Sequence, residues 1–213
     1  RMNRVLLIGS PNSGKSSLFN RMTGLNQRVA NYPGITVDVS SGPLAKMPDV
    51  ELVDFPGTYS LKPISSEEAV AVEYFQRSLA DPEVRHVLCV VDATRLEKSL
   101  YFTLQVIRES QRHGKPVTVL ANMTDVITAN GLTFDNDGLE HDLSAPVFMV
   151  SAKSGSGLDA VIDRLRMSLI RDDNVAGKWA DTPDTLLRGT AHQLAHNHGP
   201  KGDMLVRHQT RLD

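Results

Sequence analysis

Residues 9–16 read Gly9-Ser10-Pro11-Asn12-Ser13-Gly14-Lys15-Ser16, a complete G-x-x-x-x-G-K-S phosphate-binding loop, and this octapeptide dictates its own surroundings. A loop of this kind works only between a strand and the start of a helix. The run Val5-Leu6-Leu7-Ile8 ahead of it is apolar and β-favouring, as a buried parallel strand should be. Ser16 to Met22 behind it can be helical, with Gly24 as the stop. In that setting backbone N–H groups turn inward around phosphate oxygens at the positive end of the helix. Lys15 supplies a point charge for the β- and γ-phosphates, and the Ser16 hydroxyl suits Mg²⁺.

The rest of the chain fits an α/β class. Apolar β-type runs recur at 4–8, 50–53, 86–91, 117–121 and 147–150, and segments with helical spacing lie between them at 66–79, 97–112 and 157–170. This alternation predicts a mostly parallel sheet of six or seven strands flanked by helices on both faces. Segment 37–45 is mildly β and reads as an antiparallel edge strand. The character changes near Arg171-Asp172-Asp173, so a core over 1–171 and a short helical appendage over 172–213 are expected, with helices at 184–197 and 203–211.

Composition narrows the partners. With 23 Lys+Arg against 25 Asp+Glu, nothing electrostatic calls for nucleic acid. The single cysteine, Cys89, sits inside Val87-Leu88-Cys89-Val90-Val91 and reads as a buried strand residue, so no disulfide framework arises and a reducing compartment fits. No stretch reads as a signal peptide or is apolar for long enough to cross a bilayer, so the chain as written is expected to be soluble.

Which nucleotide is bound must come from the other strand ends, where open α/β sheets hold their ligands. Asp54-Phe55-Pro56-Gly57 follows Val50-Glu51-Leu52-Val53; its carboxylate can reach a Mg²⁺ shell and the Gly57 N–H can sense a γ-phosphate. Asn122-Met123-Thr124-Asp125 follows the next-to-last strand, and the Asp125 carboxylate can accept from both N1–H and the 2-amino group of guanine, a pairing adenine does not offer. Ser151-Ala152-Lys153 adds a backbone N–H for guanine O6. Each tetrapeptide or tripeptide alone could be an ordinary strand-ending turn; their order carries the reading of GTP and GDP. Between the first two motifs lies Asn31-Tyr32-Pro33-Gly34-Ile35-Thr36-Val37-Asp38, with Thr36 as the natural second Mg²⁺ hydroxyl on a loop ordered by the γ-phosphate. The alternative is a Pro-Gly turn in which Thr36 merely favours β structure.

Taken together, Gly9 to Ser16, Asn31 to Asp38, Asp54-Phe55-Pro56-Gly57-Thr58-Tyr59-Ser60-Leu61, Ser65-Ser66-Glu67-Glu68 and Met123 resemble the cytosolic N-terminal domain of the FeoB family over about residues 2–170. That family comprises bacterial ferrous iron transporters in which a G protein is fused to a polytopic membrane protein. The resemblance implies a P-loop GTPase fold at the cytoplasmic face of the inner membrane, with a permease continuing past Asp213 and self-association left open. It implies that residues 9–16, 34–38, 54–57, 122–125 and 151–153 form the GTP site. It also implies that the appendage, shorter than is usual there, is an abbreviated one. The other readings are a soluble ribosome-assembly or tRNA-modification GTPase, and a nucleotide-binding regulatory module with incidental hydrolysis.

Catalysis is less plainly written. Thr58 stands where Ras-like proteins carry the water-orienting Gln, and no arginine finger can be named; Arg28 reads as a solvated loop charge. Intrinsic hydrolysis should therefore be slow unless another cation helps. By the resemblance, the Asn12 side-chain oxygen would hold K⁺ beside the phosphates, the plain alternative being a bond to loop backbone. The catalytic set expected is Lys15, Thr36, Gly57 and Asn12, with Ser16, Thr36 and Asp54 on Mg²⁺. Glu67 and Glu68 read as first-turn carboxylates behind a Ser65 or Ser66 cap, and His192 with His196 as surface histidines.

Overall fold

Helices and strands are interspersed in the computed structural model, which describes residues 2–30, 39–171, 175 and 177–201. In chain order the elements are β1 (Asn3–Gly9), α1 (Lys15–Thr23), β2 (Arg28–Ala30), β3 (Val39–Leu44), β4 (Met47–Asp54), α2 (Ser66–Leu79), β5 (Val84–Asp92), α3 (Leu96–Arg112), β6 (Val117–Asn122), α4 (Thr124–Ala129), α5 (Asn136–Leu143), β7 (Val147–Met149), α6 (Leu158–Arg171) and α7 (Asp184–His198). The strands form one seven-stranded sheet in the order β2-β3-β4-β1-β5-β6-β7. From β4 to β7 every pairing is parallel, and β2, β3 and β4 pair antiparallel.

The continuous apolar runs have a simple cause: both faces of the sheet are covered. Leu6, Ile8, Val87, Cys89 and Val91 point to one side, where they meet Phe75, Leu79, Leu100 and Leu104 of α2 and α3. Val5, Leu7, Leu88 and Val90 point to the other, against Leu18 and Phe19 of α1 and Val161 and Leu165 of α6. Cys89 is buried as expected, and that burial pushes its thiol up to about 12.

Two expectations need correction. The strand read at 37–45 is β3, and it is not the edge: Arg28-Val29-Ala30 pairs outside it as β2. Three residues are too few to show a period of two. The short helices α4 and α5 also escaped the pattern, since α4 has 6 residues and α5 buries only Leu139 and Leu143. The helix expected at 203–211 lies outside the described residues.

Helix α7 docks on α3 and shares the main core through Leu187, Ala191 and Leu194, together with Trp179. At its far end, His198 donates from both ring nitrogens, to Asp135 at 2.6 Å and to Asp142 at 2.6 Å, which requires the charged imidazolium. Its first residue, Asp184, is the centre of a polar hub. Gln105, 0% exposed on α3, donates to Asp184 Oδ1 at 3.0 Å and accepts the Leu61 backbone N–H at 3.0 Å. The Tyr101 hydroxyl also donates to Asp184, and Lys62 pairs with it at 3.0 Å. Burial works to raise the Asp184 carboxyl, but these hydrogen bonds prevail and hold it at about 2.

A depressed carboxyl stabilises the fold above its unfolded-state value and loses that contribution as pH falls through the folded one. Asp184→Asn should therefore remove about 1 kcal/mol after solvent screening. The deficit should be full at pH 6 and fade between roughly pH 4 and 2. Denaturant melts of both proteins across that range would check it; a deficit independent of pH would show that the charge is not what matters.

Candidate nucleotide site

All the sequence-predicted site residues that the structure describes meet at one rim of the sheet, formed by the C-terminal ends of β1, β4, β6 and β7. Strand β1 ends at Gly9, and the loop that follows passes directly into α1 at Lys15. Gly14 stands at the N-terminus of α1 with φ 83, and no side chain caps the helix there. Its first-turn N–H groups thus face the loop's own concavity, the arrangement that receives phosphate. Asn12 is left-handed as well, at φ 65, and exposed. A cleft of about 460 Å³ opens beside the loop, with Ser10, Pro11, Asn12, Tyr59, Arg95 and Met123 in its lining.

Parallel pairing of β1 with β4 brings Asp54 level with the loop, and the Phe55 N–H donates to Leu7 O at 3.0 Å just beyond it. Lys15 is 8% exposed, and its ammonium pairs with the Asp54 carboxylate. Burial raises the Asp54 carboxyl above the ordinary carboxylate range, with the Lys15 charge opposing it. Pro56 follows, and Gly57 then lies against the phosphate loop: a Cβ there would stand 3.2 Å from Pro11 N and 3.3 Å from Pro11 Cα. Thr58 is buried with its hydroxyl donated to Ser60 O at 3.0 Å. At the start of α2 the Ser65 hydroxyl accepts from Glu68 N at 3.1 Å, while the Glu68 carboxylate accepts from Ile64 N at 3.0 Å. Glu68 is a helix-capping group here, as its first-turn position suggested.

On the base side, Asn122 is 2% exposed and braces two loops. Its amide donates to Ser13 O at 3.0 Å, and its oxygen accepts the Ala152 N–H at 3.0 Å. Met123 adopts φ 70, which turns the chain into α4 and sets Asp125 in the first turn. Ser151 donates to Asp125 Oδ1 at 3.1 Å, leaving Oδ2 without a protein partner among the described residues. Because the Ala152 N–H is spent on Asn122, the backbone donor that this loop offers outward is the N–H of Lys153, which has no protein acceptor among the described residues.

Sequence reasoning missed one contributor. Arg21 of α1 donates from Nε to Ala152 O and from Nη2 to Lys153 O, both at 2.7 Å. Nothing local distinguishes it from any helix-surface arginine. Gly34, Ile35, Thr36, Val37 and Asp38 lie outside the described residues, and Arg28 falls on β2. His192 meets Glu97 at 2.8 Å on the exposed side of α7.

A family model described as "Ferrous iron transport protein B" matches residues 3–165. Among curated relatives, the Fe(2+) transporter FeoB of Salmonella typhimurium is 42% identical over 166 residues, covering 74% of this chain and 20% of that protein. The Fe(2+) transporter FeoB of Leptospira biflexa is 38% identical over 156 residues, covering 72% and 21%. The chain thus spans about a fifth of the length of these relatives. A crystal structure of an S. thermophilus NFeoB mutant bound to GDP is 44% identical with a TM-score of 0.68, covering 77% of this chain and 60% of that one. NFeoB from S. thermophilus bound to GDP, AlF4⁻ and K⁺ is 42% identical with a TM-score of 0.67, covering 82% and 65%. A phosphate loop, an Asp-Phe-Pro-Gly turn and a braced base-side loop on one sheet rim thus coincide with a match across three-quarters of the chain, which belongs to the ferrous iron transport protein B family through its N-terminal G domain.

Proposed function

We propose that this chain binds and hydrolyses GTP at the cytoplasmic face of a bacterial inner membrane, regulating or driving ferrous iron uptake through a fused permease beyond Asp213. The observation that carries the GTP reading is the convergence of Lys15, Asp54, Gly57, Asn122, Asp125 and the 151–153 loop from four separate strand ends onto one rim. The family match and the named iron transporters among the relatives support the coupling to iron. No helix among the described residues is long and apolar enough to cross a membrane, and the relatives named as transporters are about five times as long as the matched segment. We take residues 1–171 as the GTPase unit and 172–213 as its appendage, in keeping with a family match that ends at residue 165.

In this reading the triphosphate lies against the backbone of 10–14 and the start of α1. Lys15 leaves Asp54 to meet the β- and γ-phosphates, and the Gly57 N–H reports the γ-phosphate. Asp125 pairs with the guanine edge and the 151–153 loop meets O6. The oxygens present fit a hard divalent cation: Ser16 is exposed at the head of α1, and the Asp54 carboxylate at the end of β4 pairs with the neighbouring Lys15, with Thr36 as the further ligand. Mg²⁺ held there would neutralise negative charge on the β- and γ-phosphates. Asn12, exposed and without a protein partner among the described residues, offers an amide oxygen to K⁺.

GTP turnover should be faster in K⁺ than in Na⁺ at equal ionic strength, by about tenfold or more, a fraction of what an arginine finger contributes. Asn12→Ala should erase that difference. Equal rates in the two salts, or stimulation that survives Asn12→Ala, overturn the potassium role, and no turnover in either salt overturns the hydrolase.

A further inference from the structure

We infer that Arg21 is a positioning residue for guanine recognition: from α1 it fixes the Ala152–Lys153 peptide so that the Lys153 N–H is aimed at the 6-oxo group of the base. The inference rests on the guanine reading above and names the group that makes it work.

The geometry is specific. Nε and Nη2 lie on one edge of the guanidinium and take two consecutive carbonyls, Ala152 O and Lys153 O, each at 2.7 Å. A planar fork can hold two acceptors at once, which an ammonium cannot. The peptide unit that matters is the one joining Ala152 to Lys153. Peptides are planar and trans, so its C=O and N–H point in opposite directions. With Ala152 O fixed toward α1, the Lys153 N–H is directed away from α1, to the side of the loop opposite the arginine. The preceding N–H, that of Ala152, is already committed to Asn122 at 3.0 Å. Lys153 therefore supplies the loop's donor, and Arg21 holds the far end of the same dipole. A charged donor on the carbonyl also polarises that amide and strengthens its N–H as a donor.

Two further features make room for this contact. Gly155 sits beneath the guanidinium at φ 82, and a Cβ there would stand 2.9 Å from Arg21 Nη1. Its own N–H closes the loop on Ser151 O at 2.8 Å, so the turn passes close to the arginine without a side chain in the way. Arg21 also lies on the helix whose first residues are Lys15 and Ser16, so one rigid element spans the phosphate end and the base end of the site.

The test uses GDP and the 5′-diphosphate of 2-aminopurine riboside, which lacks the 6-oxo group and with it the N1–H that Asp125 accepts, titrated calorimetrically into the chain and its Arg21→Ala variant. The effect of the substitution on each ligand, rather than the preference itself, reads the 6-oxo contact. The unmodified chain should prefer GDP. Arg21→Ala should weaken GDP by about tenfold, the scale of one solvent-exposed charge-assisted bond, and leave the 6-deoxo analogue unchanged. Dissociation of a fluorescent GDP should accelerate by a similar factor. If the variant does not fold, Arg21→Lys, which reaches only one carbonyl, should narrow the same preference by a smaller factor. Equal weakening of both ligands would mean a general loosening of α1 and overturn the inference, as would no change in either. If the unmodified chain does not distinguish the two ligands, the guanine reading itself falls and takes this role with it.

Discussion

Asp125→Asn should weaken GDP binding by about a hundredfold and raise XDP above it, because the exchange inverts one half of the hydrogen-bond pattern offered to the base. In the native site Ser151 holds Asp125 Oδ1 at 3.1 Å, which fixes the carboxylate's orientation before any ligand arrives. The carboxylate presents acceptors only, matched to the N1–H and 2-amino donors of guanine. An Asn side chain keeps one acceptor for N1–H but sets an N–H₂ against the 2-amino group. Xanthine carries a carbonyl at that position and so accepts from the new amide. Calorimetry with GDP, XDP and ADP would decide it. Unchanged GDP affinity, or ADP bound as tightly as GDP by the native chain, would remove Asp125 from base recognition.

Gly14→Ala should be at least as damaging, for reasons of shape rather than charge. A Cβ at Gly14 would land on Asn122 Nδ2, far inside van der Waals contact, and φ 83 is a conformation that costs an alanine about 1–2 kcal/mol by itself. Asn122 cannot retreat cheaply, since it is buried and its amide is the bond to Ser13 O that joins the phosphate loop to the base-side loop. Losing that bond leaves a buried amide and carbonyl unpaired, worth about 1–3 kcal/mol more. The expected result is a loss of GDP affinity of about a hundredfold or more, with a fall in melting temperature of about 5 °C or more. Native-like GDP binding in the variant would show that the loop holds its shape without the Asn122 brace.

The parts of this fold that could be read from the chain are those where one physical rule dominated. Val87 to Val91 is apolar without interruption because α3 and α6 cover opposite faces of β5, and such a run cannot be mistaken for a surface strand. Helix α2 begins and ends where its pattern predicts, at Ser66 and Leu79, because Ser65 caps it. What stayed hidden was set by partners distant in sequence. Strand β2 exists through pairing of Arg28, Val29 and Ala30 with Ser41, Ser40 and Val39, and its three residues carry no signal of their own. The phosphate loop and the Asp54 turn were legible as motifs, but the tight seat of Gly57 on Pro11 was not. Likewise Asn122 was placed at the base, whereas both halves of its amide are engaged in joining loops. Arg21 contacts residues more than a hundred positions away, and no window of sequence contains both ends of that contact.

Trp179 is the sole tryptophan in the chain, and it is 7% exposed with its indole N–H donated to Leu143 O at 2.8 Å. It packs among the residues that seat α7 on α3, away from the rim where the nucleotide motifs converge. The intrinsic tryptophan fluorescence of this protein is therefore a one-site optical readout of whether α7 is docked, undiluted by any second emitter of its kind. Light from the indole follows α7, while a label on the nucleotide follows the loops. With both recorded in the same cuvette, the order in which the two ends of the molecule respond becomes a matter of timing that can be measured directly.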